Sequence, residues 1–195
     1  SSFMPGVEAI CRKHGILLIA DEVITAFGRT GAWTGSRLWG VKPDFACTAK
    51  AITNAYFPFG AVMISDRVAE VFERDDTGRA AIGHGYTYSG HPVGAAAALA
   101  TLAETKRLNV RDNAAARGAE VMAGLQALMA KYAVIGDVRG GHGLMNAIEL
   151  VGDRAAKSAP DKAAAGKVQA VAYQAGAMVR VSGPNIILSP PLVLT

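Results

Sequence analysis

Three short apolar runs in the first third of the chain constrain its fold more than any other feature of its 195 residues. They cover Ile16–Ala20, Asp44–Ala49 and Gly60–Ser65. Each run is too short and too continuous for an amphipathic helix, and it has the length of a strand that is buried on both faces. The runs therefore predict the core sheet of an α/β fold.

Charged residues follow the first two runs. The first run leads into Asp21 and Glu22, and the second ends at Lys50. Ligands of open α/β sheets bind beyond the carboxyl ends of the strands, so the acid and the lysine are candidates for one site. An apolar pocket disfavours the charged form of a lysine and frees its amine for a Schiff base, as pyridoxal phosphate requires. From spacing alone, a capping Asp21 and a solvated Lys50 stay open as the alternative, because both residue types are mostly exposed.

Two longer motifs surround these residues. Residues 20–31 read ADEVITAFGRTG, and residues 42–65 read KPDFACTAKAITNAYFPFGAVMIS. Together they resemble the signature of the class III aminotransferases, which are pyridoxal phosphate enzymes of fold type I. The loop of the first motif is punctuated by glycines, and we expect its Arg29 to stabilise the loop by hydrogen bonding rather than to bind an anion.

The resemblance implies a role for several residues. Asp21 would pair with the pyridinium nitrogen of the cofactor, Val23 would pack on one face of its ring, and Lys50 would form the Schiff base. Ala51 and Ala55 stand where the family commonly has glycine, and we expect both to be tolerated because they are small.

A second informative stretch, residues 84–92, reads HGYTYSGHP and precedes an Ala-rich helix predicted over Val93–Leu108. A hydroxyl-bearing loop that leads into a helix suits a phosphate, because free N–H groups and the helix dipole favour an anion. The stretch resembles the family's Thr-Tyr-Ser-Gly-His-Pro segment, whose threonine contacts the cofactor phosphate of the neighbouring subunit. That resemblance implies that Thr87 binds cofactor and that the protein is a homodimer with shared active sites. From the residues alone, a turn-and-cap role for Thr87 stays open.

Arg180 interrupts an apolar strand predicted over Ala177–Val181. A buried guanidinium needs a partner, and its planar fork suits a carboxylate; a structural salt bridge between domains is the alternative. The segment from Gly176 to Leu192 resembles the subgroup that acts on β-alanine, other ω-amino acids and amines with pyruvate. In that subgroup the corresponding arginine binds the substrate carboxylate. The ornithine-type branches instead carry an arginine just before the Pro-Pro-Leu segment, where this chain reads Ile-Ile-Leu-Ser.

A change in composition near Arg111–Asn113 predicts a domain boundary. We expect residues 1–112 to be the C-terminal part of a cofactor-binding large domain with a mostly parallel sheet, and residues 113–195 to be a smaller, incomplete α+β domain. Compared with the family, the chain looks like roughly the C-terminal half, without the phosphate-cradling Gly-Ser turn. The further predicted elements are helices around 9–12, after Asp66, over 121–132 and over 163–175, and strands over 144–151 and 186–189.

Composition excludes several function classes. The net charge is +4 and the basic residues are scattered, which argues against a nucleic-acid partner or a polybasic membrane patch. No apolar run approaches the length of a membrane span, and no signal peptide is expected. Cys11 and Cys47 without a disulfide framework favour reduced thiols and a cytoplasmic location. His84 and His91 lack partners at metal-ligand spacing, so we expect no metal site.

The sequence thus predicts transamination, dependent on pyridoxal phosphate, of an ω-amino acid such as β-alanine or of an amine, with pyruvate as acceptor. One rival is a P-loop ATPase fragment, because Leu17–Glu22 also looks like a Walker B strand. That rival requires a Gly-x-x-x-x-Gly-Lys-Ser/Thr loop, which these residues do not contain. The other rival is a truncated aminotransferase chain that folds and associates but does not catalyse.

Overall fold

The computed structural model describes residues 2–83 and 85–195, and the chain divides into two compact units. The first unit comprises Ser1–Phe27 and Ala32–Asn109, and the second comprises Gly28–Gly31 and Val110–Thr195. The short glycine-bearing segment therefore belongs with the C-terminal residues, although it lies early in the sequence.

The first unit contains one sheet and short helices. Its strands are β1 (Ile19–Asp21), β2 (Phe45–Thr48) and β3 (Ala61–Ile64). Its helices are α1 (Phe3–Lys13), α2 (Gly35–Leu38), a 3-10 helix (Lys50–Ile52), α3 (Asp66–Glu73) and α4 (Pro92–Arg107). All three apolar runs form strands, each shorter than its run.

The strand order of this sheet is β1-β2-β3. β1 and β2 are parallel, whereas β2 and β3 are antiparallel. The sequence predicts a mostly parallel sheet, and the described residues contain one parallel pair and one antiparallel pair.

The two faces of the sheet differ in burial. Ala20 and Ala46 are register partners on the buried face. On the opposite face Ile19 is 63% exposed and Val62 is 62% exposed. The prediction that the runs are buried on both faces was therefore wrong for this chain, because no described residue covers the second face.

A buried carboxylate at the start of β2 holds α1 and β1 together. Asp44 is 1% exposed, and its Oδ2 accepts hydrogen bonds from the Leu18 N–H at 2.8 Å and from the Arg12 guanidinium at 2.7 Å. Arg67 of α3 lies 3.6 Å from its other oxygen. Burial acts to raise the pKa of the Asp44 carboxyl, but the Leu18 N–H and Arg12 outweigh burial and hold that pKa below its usual value.

The second unit pairs two helices with an antiparallel sheet. Its strands are β4 (Ile135–Arg139), β5 (Asn146–Leu150), β6 (Arg180–Ser182) and β7 (Asn185–Leu188), in the order β4-β5-β7-β6. Its helices are α5 (Val110–Lys131) and α6 (Ala164–Gln174). The core between this sheet and α6 contains Ile135, Leu150, Ala165 and Ile186.

Two predictions for this unit need correction. The sequence predicts no strand between the helix over 121–132 and the strand over 144–151, but residues 135–139 form β4, whose outward positions Asp137 and Arg139 interrupt the apolar pattern. The boundary predicted at 112/113 would cut α5, which already begins at Val110. The assignment of functional domains stays a prediction.

No helix within residues 2–83 and 85–195 combines the length and apolar character that a membrane span requires.

We predict that Asp44→Asn lowers the free energy of unfolding by about 2 kcal/mol or more, because hydrogen bonds to a charged group contribute about 1.5–3 kcal/mol each. The measurement is urea unfolding at neutral pH. Asp137→Asn is the control: Asp137 is exposed beside Arg139, and its loss should cost about 0.5 kcal/mol or less.

The Asp44 contribution should also depend on pH. Because the folded-state pKa is lowered, the stabilisation is present above the ordinary pKa of an aspartate, about 4, and is lost as the pH falls below it. The difference in stability between the unsubstituted protein and Asp44→Asn should therefore shrink below about pH 4. A difference that stays constant down to acid unfolding would contradict this account.

Candidate active site

The parallel pairing of β1 with β2 brings Asp21 and Lys50 to the same edge of the sheet. Asp21 is the last residue of β1 and pairs with Cys47 of β2. Lys50 follows the end of β2 by two residues. Both side chains are exposed. The sequence predicted this shared edge from the carboxyl ends of two strands, and the structure has it.

Asp21 presents a partly free carboxylate. Its Oδ1 accepts a hydrogen bond from the Val23 N–H at 3.0 Å, which fixes the carboxylate against the turn that follows β1. Its second oxygen has no hydrogen-bond donor among residues 2–83 and 85–195. Val23 itself is half-buried in that turn. One carboxylate oxygen is therefore held in place while the other stays available to a ligand.

Lys50 has an unusual backbone conformation and a side chain without a partner in the described residues. Its φ is +47°, in the left-handed region that side-chain-bearing residues rarely adopt. In the part of the chain that the structure describes, its ammonium group makes no ion pair or hydrogen bond. The apolar pocket expected around Lys50 is not formed by the described residues, since the side chain is exposed. The backbone strain fits a functional position, where such conformations concentrate.

The turn after Lys50 is held by a buried threonine. Thr53 is 1% exposed, and its hydroxyl donates to the Phe57 carbonyl at 2.6 Å. Between them, Asn54 and Ala55 both have positive φ, +48° and +65°. The left-handed region explains why a glycine would suit position 55, and Ala55 carries the cost of a Cβ there.

Thr87 lies in an exposed turn that precedes α4 in the same unit. The Ser89 N–H donates to the Tyr86 carbonyl at 2.9 Å and closes this turn. His91 caps α4, with its Nδ1 accepting from the Val93 N–H at 3.2 Å, and its ring lies 4.9 Å from that of Phe57. This ring contact joins the start of α4 to the turn after Lys50. His84 lies outside the described residues.

Arg180 is the first residue of β6, an edge strand of the second unit, and it is exposed. The prediction that it is buried was wrong, because an edge strand of three residues leaves this position open to solvent. The guanidinium makes no ion pair with any described residue of the second unit. The guanidinium is free for a ligand.

Arg29 has the structural role expected of it. Its Nη1 donates to the Leu144 carbonyl at 2.9 Å and to the Pro190 carbonyl at 2.7 Å, both within the second unit. Burial lowers the pKa of the Arg29 guanidinium. These two bonds fix the Gly28–Gly31 segment to the C-terminal residues.

Sequence reasoning missed one residue next to the candidate site, Glu22. It is 2% exposed, and its carboxylate accepts hydrogen bonds from the N–H groups of Gly35 and Ser36 at 2.8 and 2.7 Å. The hydroxyls of Thr25 and Ser36 donate to it as well. Burial acts to raise the pKa of the Glu22 carboxyl, but these donors outweigh burial and lower that pKa. The period of two along a strand was the signal that could have predicted its burial: if Asp21 faces the ligand side of β1, Glu22 faces the opposite side.

No group of three or more His, Cys, Asp or Glu residues within 2–83 and 85–195 is arranged to bind a metal ion.

Comparison with known proteins identifies the family. A family model described as "Aminotransferase class-III" matches residues 1–195. The chain belongs to the class III aminotransferases. Membership in this family overturns the P-loop ATPase alternative, since it assigns the strand that ends in Asp21 and Glu22 to an aminotransferase.

Similar solved structures are transaminases. An amine transaminase from an uncultivated Pseudomonas species, in its PLP-bound form, is 47% identical with a TM-score of 0.94, and the match covers 100% of this chain and 44% of that one. An (S)-enantioselective omega-transaminase from Thermomicrobium roseum is 41% identical with a TM-score of 0.90, over 99% of this chain and 42% of that one. The fold-type I assignment of this α/β chain agrees with these neighbours.

Similar curated proteins are also aminotransferases. An uncharacterized aminotransferase, y4uB, from Sinorhizobium fredii is 42% identical over 99% of this chain and 42% of its own length. The diaminobutyrate–2-oxoglutarate transaminase of Halomonas elongata is 41% identical over 97% of this chain and 41% of its own length. This chain therefore spans about two-fifths of the length of the curated relatives it matches.

We predict that Ala55→Gly stabilises the protein by up to about 1 kcal/mol. It relieves a left-handed conformation that costs an alanine about 1–2 kcal/mol, and it adds unfolded-state freedom that costs about 0.4–1 kcal/mol. Ala51→Gly is the matched control, because Ala51 lies in the 3-10 helix without a positive φ and its replacement should destabilise. Urea unfolding measures the free energy of unfolding of both variants. If this free energy changed in the same direction in Ala55→Gly and Ala51→Gly, the role assigned to backbone strain would be contradicted.

Proposed function

We propose that the protein binds pyridoxal phosphate and transfers an amino group from an ω-amino acid or an amine to pyruvate. The observation that carries this proposal is the shared sheet edge of Asp21 and Lys50: Asp21, with a partly free carboxylate, ends β1, and Lys50 follows the end of the adjacent parallel strand β2. Membership in the class III aminotransferases supports the choice of cofactor.

The donor set suits the cofactor. Lys50 offers an amine without a protein partner in the described residues, as attachment to an aldehyde requires. Asp21 offers a carboxylate oxygen for a protonated pyridine nitrogen, and half-buried Val23 offers an apolar surface for one ring face. Thr87 lies in an exposed turn before a helix, where a phosphate of the neighbouring subunit of a homodimer would bind.

When bound, pyridoxal phosphate supplies an electron sink that stabilises negative charge on the carbon bearing the amino group. The chain supplies proton transfer and orientation. Once the amino group of the substrate has displaced Nζ of Lys50 from the cofactor, that nitrogen would take the proton from the carbon as a general base. The free oxygen of Asp21 holds a proton at the pyridine nitrogen, which keeps the electron sink effective.

Arg180 is proposed to recognise the carboxylate of the acceptor. Its exposed, unpaired guanidinium can bind a carboxylate through two parallel hydrogen bonds. The similar amine and omega-transaminase structures favour an amine or ω-amino acid donor. The name of the Halomonas relative makes 2-oxoglutarate the second candidate acceptor. A cytoplasmic homodimer remains part of the proposal.

One test of the proposed function concerns Lys50. Borohydride reduction of the full-length protein with pyridoxal phosphate, followed by peptide mapping, should place a reduced adduct on Lys50, and Lys50→Ala should abolish it. β-Alanine or an amine should bleach the visible band before reduction. An adduct in the full-length protein but none in the isolated 195-residue chain would support the non-catalytic alternative for this chain. No adduct on Lys50 in either would contradict the proposed function.

Another test of the proposed function concerns Arg180. Arg180→Leu should raise the KM for pyruvate about 10- to 100-fold, because a charge-assisted pair contributes about 1.5–3 kcal/mol. The KM for an aldehyde acceptor, which lacks the carboxylate, should change less than about threefold. Arg139→Leu is the control from the same sheet, since Arg139 is already paired with Glu149 and Asp137. Equal losses with both acceptors would contradict carboxylate recognition by Arg180.

A further inference from the structure

Glu22 lies between the two residues that are proposed to contact the cofactor ring, Asp21 and Val23. The Glu22 N–H donates to the Cys47 carbonyl at 2.8 Å, so the parallel pairing of β1 with β2 continues one residue past the end of β1. The Glu22 carbonyl accepts from the Ala26 N–H at 3.0 Å. The backbone of this residue is thus fixed on both sides.

The direction of the Glu22 side chain determines the direction of its neighbours. Along an extended strand, successive side chains point to opposite faces. Ala20 and Glu22 are buried at 8% and 2% exposure, whereas Asp21 between them is exposed. As long as the Glu22 carboxylate stays buried, the Asp21 carboxylate must face the open side of the sheet.

The Glu22 carboxylate is held by two donors on each oxygen. Oε1 accepts from the Ser36 N–H and the Ser36 hydroxyl, and Oε2 accepts from the Gly35 N–H and the Thr25 hydroxyl. The two N–H groups are the first two of α2, where no intrahelical acceptor exists. A buried carboxylate is tolerated when each of its oxygens accepts the hydrogen bonds that it can hold. Moving it away from these donors would leave a buried charge without partners, which is strongly unfavourable.

We propose that Glu22 is a positioning residue of the cofactor site, which fixes the Asp21 carboxylate against the pyridine nitrogen by anchoring the end of β1 to the start of α2. This inference rests on the proposed function. It adds a residue that contacts neither the substrate nor the cofactor and that acts through Asp21 and Val23.

The test is Glu22→Gln in the full-length protein. The replacement keeps the shape but turns one acceptor oxygen into an NH₂ group, which faces a backbone N–H that thereby loses its acceptor, whereas the hydroxyl beside it can rotate and accept. The end of β1 must then shift. The shift weakens the charge-assisted hydrogen bond that Asp21 is proposed to make to the pyridine nitrogen, so we expect the dissociation constant for pyridoxal phosphate to rise about 10- to 100-fold.

The second readout is spectroscopic and does not depend on turnover. The pH midpoint of the visible band of bound pyridoxal phosphate should move in Glu22→Gln in the same direction as in Asp21→Asn, and by a smaller amount. Ser36→Ala removes one of the four donors and should give a smaller shift with the same sign. This milder variant keeps the proposal testable if Glu22→Gln does not fold.

Asp44→Asn is the matched control, because Asp44 is the other buried carboxylate of this strand pair and lies at the opposite end of β2. It should lower the unfolding midpoint but leave the cofactor dissociation constant within about twofold. Glu22→Gln and Ser36→Ala variants that lose stability with an unchanged band midpoint and dissociation constant would overturn the proposal and make Glu22 a fold residue. An unsubstituted protein without a visible band would instead overturn the proposed function on which the inference rests.

Discussion

The parallel pairing of β1 with β2 is the interaction on which the candidate site depends. The last paired position joins Asp21 to Cys47. A slip of one residue would turn Asp21 toward the buried face and expose Glu22. Two buried carboxylates hold this register, one at each end of the pair. Asp44 accepts from the Leu18 N–H before β1 begins, and Glu22 is anchored to α2 where β1 ends. The register, and with it the site, is therefore set by buried hydrogen bonds rather than by exposed loops.

Sequence reasoning found the strands of this sheet because short apolar runs indicate burial, and it placed Asp21 and Lys50 at one edge because each follows such a run. It did not find which faces are covered. Apolar content is a property of the residues, whereas exposure depends on what packs against them, and Ile19 and Val62 are exposed in the described chain. The same reason explains why the Lys50 side chain is exposed although an apolar pocket was predicted around it: such a pocket would need covering residues that the described chain does not provide.

The misses in the second unit have local causes. β4 carries Asp137 and Arg139 at its outward positions and a glycine between its core residues, so its sequence lacks the pattern of a strand. It nevertheless pairs with β5, with a register shift between Ile135 and Asp137. Arg180 was expected to be buried because its neighbours are apolar. Whether a strand lies at an edge is decided by pairing, and β6 has a partner on one side only, which is β7.

The environments of two arginines explain why one suits a structural role and the other a ligand. Arg29 donates to two backbone carbonyls, and releasing it would leave these half-buried groups without a donor. Arg180 has no such bonds, yet the backbone beside it is held, because the Gln169 side chain of α6 donates to the Val179 carbonyl at 2.9 Å. A fixed backbone with a free guanidinium lets the side chain bind a carboxylate without losing any internal contact. Arg29 would lose two hydrogen bonds if it bound a carboxylate, whereas Arg180 would lose none. This difference supports Arg180, and not Arg29, as the residue proposed to recognise the acceptor.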